Sequence, residues 1–212
     1  MFAYCNNEPV ASTDPTGHYM GHRPIMVNDG ADSIISLLKT AAKYYTKEYA
    51  GFANCYAFAF KLKVDPRTGE IFQDRPQPGD FSNKNCRSAL NRILDSVCDG
   101  ISFNEELVCE TIISSVKADG RILGLTVRRV YSANTSVADG EWLVALGFGY
   151  DEKNVNCDYH WWRRMDSGYW LHKEGKLVKA VDDANNLITD PAKCYSKEYP
   201  YFIGYFVVSP SN

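Results

Sequence analysis

The sequence lacks the patterns of several common functional classes. The seven cysteines form no Cys-x-x-Cys pair, which argues against a zinc ribbon or a thioredoxin-type redox motif. There is no glycine-rich phosphate loop, no internal repeat and no low-complexity run. Positive charge is not in excess, because the formal net charge is −3. The composition therefore does not favour binding to nucleic acid or to a membrane surface.

Long apolar runs and a secretory signal are also missing. No run approaches the roughly 18 residues of a membrane span, and the chain does not open on a signal-peptide pattern. Hydrophobic residues make up 45% of the 212 positions and aromatic residues 13%, which is enough for a packed core. The acidic run at Asp182 and Asp183 lacks the glycine and glutamate of an EF-hand loop. We therefore expect a globular protein with no cofactor and no metal ion.

Two kinds of periodicity divide the chain. Apolar residues at helical spacing predict helices at 32–49, 55–63, 85–99 and 104–119. Runs rich in Val, Ile, Tyr, Phe and Trp predict strands at 121–131, 141–150, 158–165, 168–173 and 201–209. Asp166-Ser167-Gly168 predicts a hairpin turn between the third and fourth strands. Helices followed by strands are typical of an α+β fold with an antiparallel sheet.

One cysteine lies at the predicted start of a helix. Asn54 is a good N-cap residue, which makes Cys55 the first helical residue. Main-chain N–H groups at a helix start carry partial positive charge and favour the thiolate, which is the nucleophilic form. The alternative is a structural cysteine, because free cysteines are among the most buried residues.

Two histidines of the folded body are candidates to activate this thiol. His160 and His172 lie twelve residues apart on strands joined by the predicted tight turn, so they can face each other. A histidine that accepts a thiol proton needs its other ring nitrogen held by a polar group. His160 is therefore the predicted base and His172 the residue that orients it. The alternative is that both are ordinary sheet residues beside aromatic side chains.

The first eighteen residues carry a resemblance to a known family. Phe2-Ala3-Tyr4-Cys5-Asn6-Asn7-Glu8-Pro9 is followed by Asp14-Pro15-Thr16-Gly17. These residues resemble the end of the shell-forming core of Rhs/YD-repeat polymorphic toxins, after which a variable effector domain follows. The resemblance implies that 1–20 is the junction, 21–31 a linker and 32–212 a bacterial toxin effector domain. It further implies delivery into a target cell and a cognate immunity protein.

A second resemblance concerns the body of the chain. Gly51-Phe52-Ala53-Asn54-Cys55, then Gln77-Pro78-Gly79-Asp80, then His160 and His172 resemble the NlpC/P60 branch of papain-like cysteine peptidases in order and spacing. The resemblance implies a papain-like fold, with the cysteine helix packed on an antiparallel sheet. It also implies a Cys-His-His triad that hydrolyses an amide bond, with a protein or peptide substrate such as peptidoglycan peptide.

The chain departs from that family in two ways. Tyr56-Ala57 follows the cysteine where the family has Ser-Gly, and 82–156 replaces a short connection, with a helical insertion predicted at 82–120.

The Tyr49 hydroxyl is a candidate oxyanion donor beside the Cys55 N–H. Other papain-like families use Asn or Asp as the third catalytic residue, and the candidates for that place are Asp183, Asn185 and Asp190.

Two further functions remain open from the sequence. The same triad on the same fold can deamidate or transamidate a glutamine side chain, since only the acceptor of the thioester changes. A non-enzymatic reading is a module whose aromatic strands, at 159–162 and 199–206, bind a partner protein.

Overall fold

The computed structural model describes residues 31–51, 53–65, 68–70, 75–99, 102–151 and 156–211. The predicted junction at 1–20 and all but the last residue of the linker at 21–31 lie outside these residues. Within these residues the α-helices are α1 (Ala31–Tyr49), α2 (Cys55–Ala59), α3 (Arg87–Cys98) and α4 (Glu105–Leu123). The strands are β1 (Leu125–Val130), β2 (Trp142–Asp151), β3 (Asn156–Arg164), β4 (Trp170–Glu174), β5 (Leu177–Lys179) and β6 (Tyr201–Pro210).

The strands form one open antiparallel sheet in the order β1-β6-β2-β3-β4-β5. The predicted α+β class with an antiparallel sheet is confirmed. β5 was not predicted, because its three residues are too short to show a strand period.

Side chains alternate across this sheet, so it buries two faces. The helix face packs under the helices and includes Val144, Leu146, Tyr159, Trp161, Leu171 and Phe206. The loop face packs under the irregular segments and includes Leu143, Ala145, Trp162, Trp170, Ile188 and Tyr205. Burial on both faces explains why β2 reads as a continuous apolar run rather than an alternating one.

The cysteine helix α2 is shorter than predicted and ends at Ala59 rather than near 63. Lys61 adopts a left-handed conformation with φ 57°. The Leu62 N–H then donates to Ala57 O at 2.8 Å, and the Lys61 N–H to Phe58 O at 3.3 Å. These bonds form a Schellman motif, which ends the helix although the apolar pattern continues.

Helix α4 is longer than predicted, and the predicted start of β1 at 121 is wrong. Asn104 caps the helix by accepting the Leu107 N–H at 3.0 Å. The helix continues to Leu123 and ends at Gly124, whose φ of 66° is readily adopted only by glycine. The helical part of the predicted insertion at 82–120 is thus α3 and α4, after which the chain enters the sheet.

Arg163 is a charged strand residue that the fold nevertheless buries. Its side chain is buried on the helix face, where Nη1 donates to Phe58 O at 2.9 Å and the guanidinium lies over the Phe58 ring. Arg163 thereby satisfies a main-chain carbonyl at the C-terminal end of α2 and fixes that end against β3.

The β3–β4 hairpin forms as predicted, but its register differs by two residues. His172 pairs with Trp162 rather than with His160. The connection is a turn in which the Gly168 N–H donates to Met165 O at 2.8 Å, with Gly168 left-handed at φ 89°. The loop thus has three residues, 166–168, with a glycine bulge, and this loop length places His172 opposite Trp162.

Candidate active site

Cys55 is the first residue of α2, and its helix start is capped as the sequence predicts. The Asn54 Oδ1 accepts the Ala57 N–H at 3.0 Å. The Asn54 Nδ2 donates to Pro76 O at 2.7 Å, which links the cap to the following loop. The two bonds fix the main chain immediately before the thiol.

The Cys55 thiol is neutral in this environment. Burial raises the pKa of Cys55 to about 12, and hydrogen bonding from the Trp161 main chain offsets this only in part. Desolvation thus opposes the stabilisation of the thiolate that the helix start is expected to give.

The two histidines are hydrogen-bonded to each other in the interior. His160 Nε2 lies 2.8 Å from His172 Nδ1, and His172 Nε2 lies 3.1 Å from Val181 O. A carbonyl only accepts, so His172 carries its proton on Nε2 and accepts on Nδ1. His160 then donates from Nε2, which leaves its Nδ1 with a free lone pair. This is the tautomer that a general base requires.

The Cys55 thiol and the His160 imidazole lie toward opposite faces of the sheet at β3. His160 stacks on Tyr199 at 4.7 Å and meets Trp162 edge-on, so its ring is on the loop face. Cys55 packs with the helix-face cluster. Among the described residues, the Cys55 thiol hydrogen-bonds to Tyr159 O at 3.8 Å rather than to His160. The contact between Cys55 and a His160 ring nitrogen that the predicted triad requires is not among these hydrogen bonds.

The sulfur nevertheless lies beside His160, at an edge of β3. β4 pairs with β3 only from Trp162 to Arg164, so the Tyr159 carbonyl lies beyond the end of that ladder. Sγ bonds to this carbonyl, and the Trp161 main chain is also within hydrogen-bonding reach of the sulfur. These two groups flank the Cα of His160. At an edge, a side chain from either face of the sheet can approach the sulfur.

A cavity of about 150 Å³ opens on the loop face over the histidine pair. Its lining includes His160, His172 and Tyr199, together with the carboxylates of Asp182 and Asp183. It gives a small molecule or side chain access to the base from the face opposite α2.

The predicted alternatives for the third position do not contact either imidazole. Asp183 Oδ2 accepts the Lys197 N–H at 2.8 Å, although it lies at the cavity with His172. Asn185 is exposed in a turn with φ 62°. Asp190 caps the 3-10 helix Pro191–Lys193 and accepts the Tyr205 hydroxyl. His172 is the residue that hydrogen-bonds to the His160 ring.

Tyr49, the candidate oxyanion donor, is buried in the core of the helix face. Its ring packs on Phe58 at 5.5 Å, and its hydroxyl hydrogen-bonds with Arg163. Arg163 itself binds Phe58 O, at the C-terminal end of α2. Tyr49 thus stabilises the end of the helix opposite to Cys55.

Sequence reasoning missed several residues around the site. The Tyr159 hydroxyl donates to Gln77 Oε1, which links the strand of His160 to the Gln-Pro-Gly-Asp turn. Tyr199 covers His160 and donates its hydroxyl to Asp158 at 3.2 Å. Asp119 lies buried beside the same turn. No spacing rule identifies these partners, because 40 to 82 positions separate each hydrogen-bonded pair.

The histidine pair should make the protein sensitive to mild acid. Burial lowers the pKa of both His160 and His172, whereas in the unfolded chain they titrate near pH 6.5. The unfolded state therefore binds more protons once the pH falls below about 6.5. We expect the free energy of unfolding to drop by up to about 1.4 kcal/mol per pH unit per histidine below that pH.

Urea unfolding at pH 7.5, 6.5 and 5.5 measures this effect. The variant His172→Asn removes one titrating group and should show a shallower loss between pH 6.5 and 5.5. A wild-type stability that is constant across this range would contradict the burial of two neutral histidines.

Two features are absent from the part of the chain that the structure describes. No group of three or more His, Cys, Asp or Glu side chains within them is arranged to hold a metal ion. None of the helices in the same ranges is long and apolar enough to cross a membrane.

Comparison with known proteins gives one partial similarity. The chain is 35% identical over 88 residues to insoluble matrix shell protein 1 of Ruditapes philippinarum. The match covers 41% of this chain and 53% of the shell protein, so the chain spans about half the length of that relative. No protein-family model and no solved structure matches. A similarity of this extent leaves the function to be argued from the site.

Proposed function

We propose that this protein is a papain-like cysteine hydrolase whose triad is Cys55, His160 and His172. The observation that carries the proposal is the ordered chain of acceptors behind His160. Val181 O fixes the tautomer of His172, and His172 fixes that of His160. The free Nδ1 lone pair belongs to His160, which lies between Tyr159 and Trp161, and the main-chain groups of these two residues bond to the Cys55 sulfur.

The neutral thiol sets the order of events. Cys55 keeps its proton until a carbonyl compound is bound, because burial disfavours the thiolate. Sγ then attacks the carbonyl carbon while His160 Nδ1 takes the thiol proton, and His160 returns the proton to the leaving amine. Water afterwards cleaves the thioester. His160 Nδ1 meets the sulfur at the sheet edge while Nε2 stays bonded to His172, as catalytic contacts often tighten only with substrate bound.

The start of α2 supplies the electrostatic part of this reaction. The oxyanion formed on attack lies beside the Cys55 N–H, one of the N–H groups that a helix start leaves without an intrahelical partner. Asn54 directs its own side chain to the Ala57 N–H, so it does not occupy this position. The packing of α2 on β3 of an antiparallel sheet supports the papain-like assignment.

The biological setting that we propose is that of an effector domain delivered by a bacterium into a target cell. The support is the Rhs-like junction at 2–18. In this setting the substrate is a protein or peptide, with peptidoglycan peptide as one case, and a cognate immunity protein blocks the site. Glutamine deamidation or transamidation would use the same triad. The expression experiment described below distinguishes deamidation from peptide hydrolysis.

Acetyl transfer from p-nitrophenyl acetate tests the nucleophile without knowledge of the natural substrate. We expect one acetyl group on Cys55 and release of nitrophenolate by the wild type. Cys55→Ala should abolish this labelling, and His160→Ala should slow it by about 10²–10⁴-fold. Cys98→Ala, which removes an exposed thiol, is the matched control and should react as wild type does.

Peptide mass spectrometry locates the acetyl group. If Cys55 is labelled no faster than the other cysteines, the protein is not a thiol hydrolase and the partner-binding reading is favoured.

Expression in bacteria distinguishes the targets. Toxicity of the wild type only after export to the periplasm indicates a cell-wall substrate, whereas toxicity in the cytoplasm indicates a protein substrate. New chain ends in the target proteome indicate a peptidase, and conversion of glutamine to glutamate indicates a deamidase. Full toxicity of Cys55→Ala would refute the mechanism.

A further inference from the structure

A single buried carboxylate gathers four hydrogen bonds next to the candidate site. Asp119, on α4, is fully buried. Its Oδ2 accepts the Gly79 N–H at 2.6 Å and the Tyr56 hydroxyl at 3.2 Å. Its Oδ1 accepts the N–H and the hydroxyl of Ser82, each at 2.9 Å. A buried carboxylate needs such partners, and here all of them come from segments near the thiol.

These bonds fix the chain on both sides of Cys55. Tyr56, which directly follows the cysteine, is held by Asp119 itself. Asn54, which directly precedes it, donates to Pro76 O. Pro76 lies three residues before Gly79, which Asp119 also holds. The Asp119 carboxylate is therefore connected directly to Tyr56, which follows Cys55. It is connected to Asn54, which precedes Cys55, through the segment 76–79.

Helix α4 supports this turn at a second point. Ser115, one helical turn before Asp119, donates its hydroxyl to Lys84 O at 2.7 Å. The Lys84 N–H in turn donates to Gly79 O at 2.8 Å, which closes the turn. Ser115 and Asp119 are two of the few buried polar residues of the described chain. Their common face on α4 is thus shaped to hold the turn at 77–84.

We propose that Asp119 is a positioning residue for Cys55, which holds α2 and its thiol in register with the edge of β3. The inference rests on the proposed thiol chemistry. Asp119 lies on α4, which belongs to the segment 82–156 where the NlpC/P60 peptidases have a short connection. Helix α4 would therefore take a direct part in the site. Asp119 touches no reacting atom and acts through Tyr56 and through the Gln77–Asp80 turn.

Two readouts test this role in Asp119→Asn and Tyr56→Phe. The first is the rate and pH profile of Cys55 acetylation by p-nitrophenyl acetate. We expect each variant to be slower by about tenfold to a hundredfold, since a displacement of about 1 Å costs that much. The second is hydrogen exchange of the Ala57 amide, which Asn54 caps and Asp119 does not touch. We expect it to accelerate in both variants well below their unfolding temperatures.

Matched controls carry the same chemical changes at exposed sites. Glu110→Gln lies on α4 itself, and Tyr131→Phe alters an exposed phenol. Both should keep the wild-type acetylation rate and Ala57 exchange. If Asp119→Asn does not fold, Tyr56→Phe alone tests the positioning role, because it removes only one of the four hydrogen bonds that Asp119 accepts.

The outcomes separate this proposal from the proposed function. Absence of acetylation in the wild type refutes the thiol chemistry, and Ala57 exchange then still tests the link from Asp119 to the helix start. Unchanged acetylation and unchanged Ala57 exchange in Tyr56→Phe overturn the positioning role, whatever the loss of thermal stability.

Discussion

Replacement of His172 by alanine is expected to slow acetylation of Cys55 by about 10²–10³-fold. His172 Nδ1 is the acceptor that keeps the proton of His160 on Nε2. Without it, His160 can carry its proton on Nδ1, where the lone pair is needed. The cavity left behind would also admit water to the ring of His160, which is now buried.

The variant His172→Asn tests whether the effect is one of orientation. An asparagine carbonyl can accept the same Nε2 proton, so it should recover part of the rate that alanine loses. Lys176→Ala, on the exposed turn between β4 and β5, is the control and should react like the wild type. Acetylation rates are compared at pH 7.5, where all variants can be shown to be folded by circular dichroism. A wild-type rate in His172→Ala would remove His172 from the triad.

The architecture was largely predictable because local signals and tertiary packing agree. The cap at Asn104 and the acidic residues after it locate the start of α4 to within a residue. The strands follow from runs of β-branched and aromatic residues. The end of α2 was not predictable, because Lys61 is not a residue type that indicates a left-handed cap.

The candidate site was predictable only in its chemically distinctive members. Cysteine and histidine are rare, so Cys55, His160 and His172 could be selected by type and spacing. Their environment could not, since the pKa of Cys55 depends on burial and the tautomer of His172 on a main-chain carbonyl, Val181 O. The burial of Arg163 could not be predicted for the same reason, because its partner is also a main-chain carbonyl that no sequence pattern marks.

The turn at 77–84 connects the fold to the site, and Gly79 is its most constrained residue. Gly79 has φ 96°, and an added Cβ would lie 2.0 Å from the carbonyl oxygen of Lys84. That atom belongs to the main chain and cannot rotate away as a side chain would. Alanine at this position must therefore open the turn, and Asp119 then loses the Gly79 N–H.

We expect Gly79→Ala to lower the free energy of unfolding by about 2–5 kcal/mol, which combines left-handed strain and overpacking. Gly69→Ala is the matched control, since Gly69 has φ 74° but open space where its Cβ would lie. It should cost only the strain of about 1–2 kcal/mol. Urea unfolding measures both variants. Because Pro76 O holds the Asn54 cap, the folded fraction of Gly79→Ala should also show slower acetylation of Cys55. Equal stability losses in the two variants would mean that the turn yields to the added methyl group and does not fix the helix start.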